Sequence, residues 1–103
     1  MSSPNPYRGE AGLLVGGEAL VLRPSFAALV AAEQELGPLF ALVERAAEGQ
    51  LRLEEITALF DHCSGNRPSA ISRERIGEAI VEKGLASVTP ALRVLLREIL
   101  QGR

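Results

Sequence analysis

The sequence contains no tryptophan, a single cysteine, three phenylalanines and one tyrosine. One cysteine excludes an internal disulfide and is typical of a reducing compartment. With so few aromatic rings, the hydrophobic core has to be built from leucine, valine, isoleucine and alanine. Aliphatic cores of this kind repack easily, which favours broad contact surfaces over closely shaped ligand pockets.

Strong charge and long apolar runs are also missing. A formal net charge of −2 gives no electrostatic reason to bind nucleic acid or an anionic membrane surface. No basic segment followed by an apolar one opens the chain, and no apolar run is long enough to cross a bilayer. We therefore expect a soluble, intracellular protein.

The length of 103 residues suits one folded domain. We predict that it spans residues 7–103, after a flexible polar arm over residues 1–6. The apolar periodicity predicts an α+β, mostly helical fold, with an N-terminal β-hairpin packed on about five short α-helices. The hairpin is expected at about 10–23, and the helices at about 25–36, 38–48, 53–64, 72–83 and 89–101.

Gly16-Gly17 separates two short apolar segments and suits a two-residue turn that needs positive φ. Such a turn places Leu13 opposite Leu20 and, on the other side of the hairpin, Glu10 opposite Arg23. Because an isolated hairpin is marginally stable in water, its leucine-bearing side is expected to pack on helices.

The stretch over residues 24–49 is predicted to be the scaffold on which the rest of the chain packs. Gly37-Pro38 divides it into two helices, since glycine caps the first and proline suits the start of the second. Each helix is predicted to bury an apolar face: Phe26, Leu29, Val30 and Leu36 on the first, then Leu39, Leu42, Val43 and Ala46 on the second, with Phe40 at the edge.

Glu33 interrupts the apolar face of the first helix. One interpretation places it at the solvent edge or in an ion pair with Arg23 or Arg45. The other makes it a buried carboxylate with a chemical role. We favour the first interpretation, because no second carboxylate, histidine or nucleophile stands at a matching spacing.

The starts of the later helices carry clear signals. Ser72 is a predicted N-cap, and Ile71 before it can pack against Ile76. Thr89-Pro90 predicts the start of the last helix, on which Val94 falls opposite the apolar face.

Asp61-His62-Cys63 is the one place where an acid, an imidazole and a thiol are adjacent. Neighbouring helical residues point in different directions, so the three cannot form a catalytic triad. Cys63 shares a face with apolar residues and is expected in the core, whereas His62 should point to the polar side. No metal-ligand spacing and no phosphate-binding loop occurs. We predict no catalytic, cofactor-binding or metal-binding residue, and no cofactor.

A small DNA-binding regulator of the helix-turn-helix kind is an alternative, because three arginines cluster near the start of the fourth helix. These are Arg67, Arg73 and Arg75. Three glutamates on the same helix would repel phosphate, so a solvated helix face is favoured.

Several short segments occur in an order that resembles one family. Asn5-Pro6-Tyr7-Arg8-Gly9-Glu10 precedes a hairpin that ends in Leu20-Val21-Leu22-Arg23-Pro24, followed by Glu33-Gln34-Glu35-Leu36-Gly37, Leu39-Phe40-Ala41-Leu42-Val43-Glu44-Arg45, Gly84-Leu85 and Leu95-Leu96. The pattern is similar to small proteins encoded among the tail genes of gene transfer agents and related prophages, described as tail-assembly-chaperone-like or tail tube proteins. The resemblance extends from about Asn5 to Leu100.

The resemblance implies a non-enzymatic role in building a phage-like tail in the cytoplasm of a bacterial host cell. Tail-assembly chaperones of this kind coat the helical tape-measure protein until tube subunits polymerise around it. The implied partners are the tape-measure or other tail proteins, with self-association as a further option, and without membrane or nucleic acid. A structural, tube-associated tail component is the alternative, although a tube subunit would need longer strands than one hairpin provides.

Binding of an apolar helix in a groove suits a small helical domain with few aromatic residues. Ala27 and Ala31 give the first helix a slim side that another helix could approach. With Val94 of the last helix, they are the candidate partner-binding residues.

Overall fold

The computed structural model describes residues 10–102, in which a two-stranded antiparallel sheet is followed by five helices. The strands are β1 (Ala11–Val15) and β2 (Glu18–Leu22). The helices are α1 (Phe26–Leu36), α2 (Leu39–Ala47), α3 (Leu53–Cys63), α4 (Arg73–Lys83) and α5 (Leu85–Gln101). The predicted fold class, a mostly helical α+β protein with an N-terminal hairpin, is confirmed. The arm predicted over residues 1–6 lies outside the described residues.

The hairpin has the predicted turn and register. Gly16 and Gly17 adopt positive φ values of 55° and 83°, which fit a tight two-residue turn. Leu13 pairs with Leu20, and both are buried against the helices, chiefly on the side of α5 and α4. On the other side, Arg23 Nε donates a hydrogen bond of 2.8 Å to Glu10 Oε2.

Helix α3 is the centre of the fold. Five consecutive residues, 56–60, are buried, and Cys63 is buried one turn later. The reason is that α1, α4 and β2 all pack on α3, so its surface is covered on several sides. Helix α2 buries only Leu42. The prediction that residues 24–49 form the central scaffold is therefore wrong.

Helix α1 turns a different face to the core from the predicted one. Ala28 and Ala32 are buried, whereas Phe26 is 86% exposed and Val30 is also exposed. The small alanine side chains let α1 lie close against α3, and the bulkier side chains stay outside this contact. The predicted burial of Phe26 and Val30 is wrong.

The chain turns sharply between α1 and α2. Gly37 ends α1 with φ of 87°, and the two helices are bent by 76°. Glu33 is exposed, and its Oε2 accepts a hydrogen bond of 3.1 Å from the backbone N–H of Leu39, at the start of α2. The solvent-edge interpretation of Glu33 is thus correct, but the proposed ion pair is not formed, since Arg23 and Arg45 pair with other glutamates.

Serine side chains cap two helices. Ser25 Oγ accepts a hydrogen bond of 3.2 Å from the backbone N–H of Ala28, at the start of α1. Ser72 Oγ accepts one of 3.3 Å from the backbone N–H of Arg75, at the start of α4. The N-cap predicted at Ser72 is confirmed, and it satisfies a donor that has no partner within the helix.

Helix α5 begins at Leu85, four residues before the predicted start, and Pro90 lies inside it. Thr89 does not cap the helix, because its hydroxyl donates a hydrogen bond of 2.8 Å to the carbonyl of Leu85. Burial of Val88 explains why the extra turn forms in spite of the proline, which cannot donate a backbone hydrogen bond. Val94 was predicted on the charged side, yet it is half-buried and packs against the core.

No single helix among the described residues is long and apolar enough to cross a membrane. Helices α1 and α2 pass that test only as a pair, by length and composition, and they are the two helices bent by 76°.

Candidate functional site

The three residues proposed for partner binding do not line one depression. Ala27 and Ala31 line a shallow depression whose other walls come from β2, the end of α3 and the loop after it. Val94 is not among the residues that line it and instead packs on the core from α5. A binding role for these residues remains a prediction.

A much larger groove, of about 1310 Å³, opens between the end of α1, the end of α2, the start of α3 and one side of α4. We name it the main groove. Its apolar and small lining residues come from three helices: Leu36, Leu53, Thr57, Gly77 and Val81. Leu53 and Val81 are exposed, so the groove presents apolar side chains to solvent.

Helices α3 and α4 approach each other closely at the main groove. A Cβ atom added to Gly77 would lie 3.3 Å from the Cγ2 atom of Thr57. A larger side chain at position 77 would push on α3, so the glycine permits this close contact between the two helices.

Charged side chains surround the apolar lining. Five are glutamates and three are arginines: Glu35, Glu54, Glu55, Glu74 and Glu78, with Arg45, Arg52 and Arg73. Glu74 and Glu78, one turn apart on α4, are both exposed. The α4 rim of the groove is therefore acidic.

On the opposite rim, Glu55 connects the end of α2 to the start of α3. Its Oε1 accepts a hydrogen bond of 2.9 Å from the backbone N–H of Arg52, and its Oε2 accepts one of 2.5 Å from Arg45 Nη1. The pKa of Glu55 is held below its ordinary value, mainly by the hydrogen bond from the Arg52 N–H and further by the Arg45 guanidinium. This carboxylate is a structural link between α2 and α3.

An ion-pair network lies beside the main groove, where Glu35 and Arg73 line it. Arg73 on α4 donates hydrogen bonds of 2.5 and 2.9 Å to Glu35 on α1, and of 3.1 and 2.9 Å to Asp61 Oδ2 on α3. His62 Nε2 lies 2.8 Å from Glu35 Oε1. Hydrogen bonding from Arg73, and then from His62, lowers the pKa of Glu35 to about 2. The hydrogen bonds to Glu35, followed by those to Asp61, raise the pKa of Arg73.

Arg67 fixes the loop between α3 and α4. It donates hydrogen bonds of 2.6 Å to the carbonyl of Ile71 and 2.9 Å to the carbonyl of Asp61, and its guanidinium contacts the Asp61 carboxylate. Two of the three arginines considered for DNA contact, Arg67 and Arg73, are therefore engaged with carboxylates of this chain.

Sequence reasoning missed this network because its members are far apart along the chain. Glu35 and Asp61 lie 38 and 12 positions before Arg73. The signal in the sequence is the cluster of arginines near the start of α4, which suits ion pairs with carboxylates of the same chain as well as contacts with DNA.

The acid, imidazole and thiol at positions 61–63 do not converge. Cys63 is buried in the core, and this burial raises the pKa of its thiol to about 12, which keeps it protonated. Within residues 10–102, no three His, Cys, Asp or Glu side chains are placed to hold a metal ion. The arrangement at the main groove is suited to binding another molecule through apolar and charged contacts.

Comparison with protein-family models matches residues 8–102 to a family described as "Phage tail tube protein, GTA-gp10". No curated protein and no solved structure gives a significant match.

Proposed function

The chain belongs to the family of GTA-gp10 phage tail tube proteins, and from this premise we propose that it is a chaperone for the assembly of a phage-like tail. Membership of a structural tail family confirms the resemblance predicted from the order of short segments. The proposed partner is a helical segment of the tape-measure protein, bound in the cytoplasm of the bacterial host.

The main groove is the observation on which this proposal depends. Leu36, Leu53 and Val81 reach it from α1, α3 and α4, and charged side chains surround them. An amphipathic helix places apolar anchors along one stripe and polar residues beside it, so it matches this arrangement. Its volume of about 1310 Å³ exceeds the roughly 300–1,000 Å³ of small-molecule pockets, so the groove suits a helix better than a small ligand.

The charge of the groove adds a requirement for the partner. The exposed Glu74 and Glu78 favour a helix with lysine or arginine beside its apolar stripe. Because Glu55 is already bonded within the chain, the acidic α4 rim is the side that should select this basic edge.

The hairpin supports a chaperone over a tube subunit. Within the described residues the sheet has two strands of five residues each. Strands of this length extend only about 17 Å, so each of the two outer edges of the sheet is five residues long. They offer little edge from which to build a ring of subunits.

A structural, tube-associated tail component is the second candidate function, and the description of the family favours it. The two functions differ in whether the protein is present in the finished tail. A chaperone should be absent from finished tails, whereas a tube component should be present in them in a fixed ratio to the other subunits. Mass spectrometry of purified particles distinguishes these outcomes.

Peptide binding tests the proposed groove directly. Overlapping peptides that cover the helical segments of the tape-measure protein from the same gene cluster would be titrated with the purified chain and followed by fluorescence anisotropy. We expect one or more basic, amphipathic peptides to bind. Val81→Lys, at a position 63% exposed in the groove, removes an apolar contact and repels a basic helix, so it should weaken binding at least tenfold, or about 1.4 kcal/mol.

Leu85→Lys is the matched control, because Leu85 is 54% exposed but is not among the residues that line the groove. It should bind as the unmodified chain does. Equal weakening by both substitutions would refute the groove as the binding site, and absence of binding to every peptide would refute the choice of partner.

A further inference from the structure

A second apolar surface lies apart from the main groove. It has a ridge, formed by Phe26 and Val30 one turn apart on α1, and a notch of about 240 Å³ between α2 and the end of α5. The notch is lined mainly by Leu39, Phe40, Val43 and Leu100. Glu33 follows Val30 on the same face of α1 and also lines the notch, so ridge and notch are continuous. We name this surface the outer apolar face.

We infer that the outer apolar face pairs two copies of this chain about a two-fold axis. This goes beyond the proposed chaperone function, which uses the main groove. No residue lines both the main groove and the notch. A paired molecule therefore keeps its main groove open.

The shape of the face favours a second copy as its occupant. A two-fold interface brings the same patch of both subunits together, so the patch must complement itself. A face that carries both a ridge and a notch does so, because the ridge of each copy can enter the notch of the other. One contact then generates the second by symmetry.

The exposed apolar area is large enough to matter. Phe26 is 86% exposed and Phe40 is 75% exposed. An aromatic side chain offers roughly 150–250 Å² of surface, so these two leave roughly 240–400 Å² of each chain in water. In a pair they would bury roughly 480–800 Å², a large part of the roughly 1,200 Å² or more that specific interfaces bury. The area falls below that value, so the pair is expected to be weak and reversible.

The charge of the face is also compatible with self-pairing. Glu33 is the one charged residue among those that line the notch. Its carboxylate is engaged with the Leu39 N–H at the start of α2. Two copies can therefore approach without a cluster of like charges, and a strongly charged partner would find no complement here.

The oligomeric state of the full chain tests this inference. In sedimentation equilibrium, the average molecular mass should rise reversibly with protein concentration, from 11.0 kDa to twice that value. Phe26→Ser and Phe40→Ser should each raise the dissociation constant at least tenfold. Both residues are exposed, so far-ultraviolet circular dichroism should show unchanged folding. Leu85→Ser, which removes an exposed leucine outside the face, should leave the constant unchanged.

Site-directed cross-linking tests the ridge-to-notch geometry. Val30→Cys and Leu100→Cys would be made separately, and a short thiol cross-linker added to each alone and to their mixture. We expect the mixture to give much more covalent dimer than either variant alone, since ridge meets notch. The native Cys63 is buried and should not react.

Several outcomes would overturn the inference. These are a monomer at all concentrations, a dimer insensitive to both phenylalanine substitutions, rings of more than two chains, and cross-linking that is no stronger in the mixture. Loss of tape-measure peptide binding on Phe40→Ser in a chain that stays monomeric would also overturn it, by assigning the face to that partner. Failure of these tests leaves the groove experiment with Val81→Lys unaffected.

Discussion

Arg73→Ala should destabilise the fold, because Arg73 is the residue through which α4 is bonded to both α1 and α3. Its guanidinium donates two hydrogen bonds to Glu35 and two to Asp61. Removing the side chain therefore breaks both connections at once, and it leaves the apolar contacts of α4 in place.

The expected magnitude follows from how exposed the two carboxylates are. The Asp61 side chain is 15% exposed, and hydrogen bonds to a charged group contribute roughly 1.5–3 kcal/mol. Arg67 still contacts Asp61 in the variant, which favours the lower end of that range. The Glu35 side chain is 40% exposed, so solvent screening reduces its pair with Arg73 to about 0.2–1 kcal/mol. We expect a total loss of about 2 kcal/mol in the free energy of unfolding.

Urea unfolding followed by circular dichroism measures this change, and thermal unfolding should show a midpoint lowered by roughly 8 °C for a chain of this size. Arg75→Ala is the matched control, since only the backbone N–H of Arg75 bonds to the Ser72 cap. It removes the same charge from the same helix and should change stability by less than about 0.5 kcal/mol. If the two variants lost equal stability, the network would have no special role and the reasoning would be refuted.

The remaining predictions concern acid stability, packing and the thiol. The pKa of Glu35 is about 2 in the folded chain against an ordinary 4.5, so its contribution is complete above about pH 4.5 and is lost as the pH falls towards 2. Urea titrations should show this decline, and Glu35→Gln should reduce it; an equal decline in both would contradict the assignment. Ala32→Leu should cost about 1–3 kcal/mol by overpacking a fully buried site, while Ala27→Leu on the exposed side should be nearly neutral. The Cys63 thiol should react with a disulfide reagent only on unfolding, and a native rate equal to the rate in urea would contradict its burial.

Local features of the fold could be predicted because they depend on neighbouring residues. The glycine pair determines the turn and hence the pairing of Leu13 with Leu20. The serine cap at Ser72 is likewise set within one helical turn. Such signals are contained in a few consecutive positions, so a single sequence suffices to recognise them.

Features that depend on tertiary contacts could not be predicted. The apolar stripe through Phe26 and Val30 indicates a core face by hydrophobicity, but close packing on α3 selects Ala28 and Ala32 instead. Hydrophobic periodicity shows which faces of a helix are apolar and does not show which of them the fold covers.

Tertiary contacts also determine where the last helix begins. Thr89 and Pro90 have the local signature of a helix beginning, yet Val88 is held in the core and the helix extends back to Leu85. The main groove and the Arg73 network were also beyond reach, since each is built from three or four helices that are separate in sequence.

The hydrogen bond from the Leu39 N–H to the Glu33 carboxylate makes the outer apolar face depend on a residue that is not apolar. It spans the elbow between α1 and α2, so it helps to set where the ridge stands relative to the notch. A change at Glu33 could thus alter assembly while every apolar residue stays the same. A substitution at Gly37, whose φ of 87° suits glycine, should disturb the same elbow from the backbone side.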